Sequence, residues 1–78
     1  MNTYGFTVKT ESGRLISDVV YAGSRRSAFD KLRSGANPDE VIILTCRLSD
    51  AQEYHWLKAC AEYGGFDHQM ASALLDTY

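Results

Sequence analysis

Residues 3–21 read TYGFTVKTESGRLISDVVY, and this stretch decides how the chain begins to fold. Tyr4, Phe6 and Val8 alternate with Gly5, Thr7 and Lys9. That is the period of two of a strand with one buried face, expected over Thr3–Thr10. Glu11-Ser12-Gly13 supplies a turn, in which Gly13 is free to take a positive φ. The chain returns as a second strand over Arg14–Tyr21. Here Leu15, Val19 and Tyr21 fall on one face, and Ile16 and Val20 on the other. A bulge or a strand apolar on both sides would produce this.

Beyond the hairpin, Ser24 is a good helix N-cap and Gly35 a good C-terminal stop. Between them Ala28, Phe29 and Leu32 share one stripe, so a short amphipathic helix is expected over Arg25–Ser34. Pro38 in the following loop forbids its extension. Val41-Ile42-Ile43-Leu44-Thr45-Cys46 is a continuous run rich in β-branched residues, read as a strand apolar on both faces, central or sandwiched. Ser49 with Gln52 forms a capping box opening a second helix, Asp50 to about Tyr63, which ends at Gly64-Gly65. Asp67 caps a third helix, with Phe66 placed to staple onto Ala71, and Met70, Leu74 and Tyr78 along one stripe. The expected architecture is α+β, a single domain over residues 1–78 in the order β-β-α-β-α-α. Its three-stranded, mainly antiparallel sheet has the order 2-1-3, with the helices on one face.

Size limits function. A chain of 78 residues forms one small domain, with few residues left for an elaborate site once a core is built. The net charge is −2, but unevenly spread: residues 1–38 carry +3 and residues 39–78 carry −5. Such polarity steers charged partners. The N-terminus has neither the basic nor the apolar segment of a signal peptide, and no apolar run reaches the length of a membrane span. The chain reads as a complete small open reading frame, and a cytoplasmic location is expected. Cys46 and Cys60 are too few for a disulfide framework and are expected to be free, buried, reduced thiols.

Candidate chemistry is sparse. Cys46, His55, Cys60 and His68 match no structural zinc spacing, and His55 and Cys60 lie about 140° apart around a helix. Cys60 sits among apolar and acidic neighbours, which raise a thiol's pKa rather than activate it. No phosphate loop, nucleophile elbow or paired carboxylate is present. A non-enzymatic protein without cofactor or metal is therefore expected. The basic side chains Arg25, Arg26, Lys31 and Arg33 of the first helix offer a possible nucleic-acid contact. Asp30 lies where it would pair with Arg26, and no aromatic residues interleave to stack bases.

The second helix is the most informative segment. Tyr54, Leu57 and Ala61 form one apolar arc, and Trp56, Ala59, Cys60 and Tyr63 a second. Together they span roughly 220°, more than the ~100° that one core contact needs. The third helix, a partner protein or a second copy of this chain must cover the excess. Trp56 and Tyr63 are residue types that dominate binding hot spots. Asp50, Glu53 and Glu62 would rim such a patch against a basic partner. The expected partner-binding set is therefore Asp50, Glu53, Trp56, Glu62 and Tyr63.

The cadence Tyr4-x-Phe6-x-Val8-x-Thr10, Gly13-Arg14, Val20-Tyr21-Ala22-x-Ser24, Ala28, Leu32 and the strand from Val41 resembles a hairpin-helix-strand cassette of short phage and mobile-element proteins. It also resembles the N-terminal segment of secretion and pilus platform proteins, which continue into membrane helices where this chain has none. The whole chain resembles in kind the small phage-encoded anti-CRISPR proteins. That resemblance implies an inhibitor that occludes a host defence complex, often where nucleic acid would sit. The acidic C-terminal half suits such mimicry. A nucleic-acid-binding accessory domain and a self-associating structural module are the alternatives.

Overall fold

The structure is a computed structural model, and it describes residues 1–77, with the side chains of Leu44 and Thr45 set aside. The elements are β1 (Asn2–Lys9), β2 (Leu15–Ala22), α1 (Arg25–Gly35), β3 (Val41–Leu48), α2 (Asp50–Tyr63) and α3 (His68–Asp76). The sheet is three-stranded with the order β2-β1-β3, and both pairings are antiparallel. The expected α+β class, element order and strand order hold. The hairpin turns with Gly13 at φ 87°. The N-caps also act as expected, but Gly35 does not: it is the last residue of α1, without a positive φ, and Ala36 in extended backbone is the C-cap. Ser24, Ser49 and Asp67 each accept a backbone N–H in the first turn of their helix, and Ser49 and Gln52 complete the capping box. The expected place of Tyr78 on the α3 stripe lies outside the described residues.

One expectation is corrected: the helices do not share a face. Register places Tyr4, Phe6 and Val8 opposite Val20, Asp18 and Ile16, and this side carries α1. There Tyr4 and Ala22 pack with Ala28 of α1, and Val20 joins them. Gly5 and Thr7 lie opposite Val19 and Ser17 on the other side, which carries α2 and α3. Trp56 sits against Gly5, and Phe66 bonds to Ser17. The main core there joins Leu48, Trp56, Ala59, Phe66 and Ala71. The physical reason is the two-sided pattern of β2. Leu15, Val19 and Ile16, Val20 cannot all be hidden by one layer, so each face takes its own helical cover.

The polar-looking side of β1 is therefore interior. Thr7 is fully buried, its hydroxyl 2.9 Å from that of buried Ser17. The irregularity allowed for in β2 appears instead in β3, where the register against β1 slips between Tyr4 and Phe6. β3 lies between α1 and α3, but it is an edge strand, not a central one. No helix among the described residues is long and apolar enough to cross a membrane.

Candidate functional site

Which arc of α2 faces the core decides which surface is offered outside. Trp56 has no exposed surface. Its ring lies flat against the hydrogen-only face of Gly5, meets Phe66 edge-on at 4.7 Å, and donates from Nε1 to the Asp18 carbonyl at 2.9 Å. Ala59 is buried beside it and Cys60 is half-buried. Trp56 is thus a core anchor and is withdrawn from the expected contact set: the indole found room over Gly5 and a partner for its N–H.

The other four expected contact residues do not form one patch. Asp50 is exposed in the first turn of α2, and Glu53 is half-buried one turn later. Glu62 and Tyr63 lie at the far end, about 18 Å along the helix from Asp50. Tyr63 is 67% exposed. With Ala59, Phe66, Met70, Ala73, Leu74 and Thr77 it lines an open apolar groove of about 280 Å³ between α2 and α3.

The outward arc is the one that carries Tyr54, Leu57 and Ala61. Tyr54 is 64% and Leu57 39% exposed, and Ala61 is exposed as well. They follow one another at three- and four-residue spacing, so they form a continuous ridge along α2. Beside the ridge, Tyr21 of β2 is 49% exposed, and its hydroxyl donates to Glu53 Oε1 at 2.7 Å. Thr3 Oγ1 donates to the other carboxylate oxygen at 3.3 Å. The carboxylate of Glu53 thereby ties α2 to both β1 and β2. The hydrogen bond to Glu53, then desolvation, then the Glu53 charge, with Asp18 adding to the effect, hold the Tyr21 hydroxyl above the ordinary tyrosine range. Asp50 is exposed, and Lys58 is the one basic residue of the outward side of α2. The result is a tyrosine-leucine ridge with a mainly acidic border.

Sequence reasoning recognised both arcs but took its aromatic contacts from the second, of which Trp56 turns inward while Tyr63 stays exposed. The missed signal was in β1. Gly5 and Thr7 form a small-residue side that accepts a large flat ring, so the arc with the tryptophan turns inward.

The four basic residues of α1 are engaged differently from one another. Arg33 is half-buried and donates to the carbonyls of Glu40, at 3.1 Å, and Asn37, which clamps the loop before β3. Lys31 donates from Nζ to the Tyr21 carbonyl at 2.7 Å. Arg25 and Arg26 line an open groove with Phe29, Asp30 and Ile42. The four do not converge on one surface.

The thiols are not both buried as expected: β3 is an edge strand, and Cys46 on it is exposed. Burial, with the Asp18 charge second, pushes the Cys60 thiol up to about 11, so it is protonated at neutral pH and is a poor nucleophile. Among the described residues no group of three His, Cys, Asp or Glu side chains is placed to hold a metal ion. Comparison with protein-family models, with curated proteins and with solved structures finds no match.

Proposed function

We propose that this chain is a non-enzymatic protein-binding module that docks through the outer face of α2 onto a basic partner surface. The carrying observation is the ridge of Tyr54, Leu57 and Ala61, with Tyr21 beside it, left outside a helix whose opposite arc already fills the core. Tyrosine brings large contact area at low entropic cost and dominates binding hot spots. The acids Asp50 and Glu53 favour a partner rich in lysine and arginine. Surfaces of that kind handle nucleic acid. The reading extends to a phage or mobile-element inhibitor acting in the host cytoplasm on a defence complex such as CRISPR-Cas, and this extension is supported by the resemblance in kind and the charge alone.

The test is a double substitution, Tyr54→Ala with Leu57→Ala, at positions whose side chains reach solvent. The variant is expected to keep the circular dichroism of the parent. Affinity for a purified host complex that the parent binds is expected to fall about 100-fold, the scale of losing two hot-spot residues. Undiminished binding by the folded variant would refute the assignment of this surface.

A further inference from the structure

The second surface with a specific fit is the outer edge of β3. Its residues Val41, Ile42 and Ile43 are the β-branched run that the sequence marks for the inside of a sheet, yet β1 is its one strand neighbour among the described residues. Val41 is 56% exposed. At the opposite edge, the backbone of β2 already bonds to side chains. Asp18 and Tyr21 carbonyls accept from Trp56 and Lys31, and the Val19 N–H donates to the Asp18 carboxylate. An apolar strand at an open edge is a template for pairing.

We propose that β3 pairs antiparallel with the β3 of a second copy, about a two-fold axis at Ile43, forming a continuous six-stranded sheet. Val8, Thr7 and Phe6 face positions 42, 43 and 44, and Tyr4 faces Arg47, so residues 45 and 46 together fill the single step opposite Gly5. Extending the count beyond the ladder, Glu40, the loop residue directly before β3 whose carboxylate accepts from Asn37 Nδ2 at 3.3 Å, lies three before Ile43, and Arg47 lies three after it. A two-fold axis at Ile43 therefore sets Glu40 of each copy opposite Arg47 of the other. It also sets Ile43 against Ile43 and Ile42 against position 44.

The faces agree. Glu40 lines the groove under α1 with Phe6 and Val8, and Arg47 is registered with Tyr4 of that same side. Moving the axis one step, to Ile42 or to position 44, would set Glu40 against position 44 or Arg47 against Ile42. One register thus satisfies apolar and charged positions together. A perpendicular two-fold axis preserves the two helical layers and closes the assembly at two copies.

Sedimentation equilibrium tests this. At concentrations up to about 1 mM the protein is expected to show a mass of twice its 8.7 kDa. Arg47→Glu, at an exposed position, turns two opposite-charge pairs into like-charge pairs and should weaken the dimer about tenfold or more. Glu40→Lys should do the same. An equimolar mixture of the two variants restores both pairings and should recover the parent's dimer. Circular dichroism verifies that each variant is folded. A mass of 8.7 kDa throughout, a dimer indifferent to Arg47→Glu, or a mixture with no recovery would each overturn the proposal. The substitutions leave Tyr54 and Leu57 untouched, so the outcome is separate from that for α2.

Discussion

Substituting Gly5 by alanine separates packing from propensity, because the two predict opposite signs. In a strand interior, alanine is favoured over glycine by roughly 0.5–1 kcal/mol, so propensity alone makes Gly5→Ala stabilising. The tertiary structure says otherwise. A Cβ on Gly5 would lie 2.6, 2.8 and 2.9 Å from Cε2, Cζ2 and Cδ2 of Trp56. Carbon atoms rest at about 3.5–4.0 Å, so the indole would have to retreat by about 1 Å. It is held in place by the hydrogen bond to Asp18 and by the edge of Phe66, and has no exposed surface to move toward. Overpacking of this kind costs about 1–3 kcal/mol. With a urea m-value of about 1 kcal/mol/M for a small domain, the unfolding midpoint should fall by about 1–3 M. Trp56→Val leaves no atom beyond Cγ and so removes all three atoms that collide. In that background the added cost of Gly5→Ala should shrink by about 1 kcal/mol or more, measured as a double-mutant cycle. A Gly5→Ala variant as stable as the parent, or more so, would refute the packing of Trp56 on β1.

Two further outcomes concern the interior of the α2 and α3 layer. Ser17→Ala removes a hydroxyl that accepts from the Phe66 N–H at 3.1 Å and bonds to buried Thr7, and should cost about 1–3 kcal/mol by urea unfolding; a neutral effect would contradict that network. For the thiols, alkylation near pH 8 should modify exposed Cys46 well before half-buried Cys60, whose raised thiol is also protonated, and equal rates would contradict that difference. The sign of the accompanying pH dependence follows from the raised thiol. Its folded value of about 11 exceeds the ordinary 9.0, so the neutral form favours the fold. That contribution is complete below about pH 9 and is lost as pH rises through about 11.

The ends of the elements were legible in the sequence because local chemistry decides them. Ser24, Ser49, Gln52 and Asp67 satisfy backbone groups within a turn of themselves, and the observed caps are those the spacing requires. The strand order was also accessible, because the hairpin sets β1 beside β2 and the third strand takes the remaining side of β1. The layering was written in the two-sided pattern of β2, but Gly5 and Thr7 disguised it. Their small or polar side chains look like a solvent face until a tryptophan 51 residues further along the chain occupies it.

Local sequence thus determined, to within one residue, where each helix and strand begins, how the strands are ordered, and that α2 carries more apolar circumference than one contact can hide. Only the tertiary structure decided which arc of α2 turns inward, and hence that Tyr54 and Leu57, not Trp56, meet the solvent. The reason is that periodicity measures the apolar span of a helix without its direction. That direction is set by the long-range fit of one ring to the space above a glycine and by the carbonyl that receives its N–H.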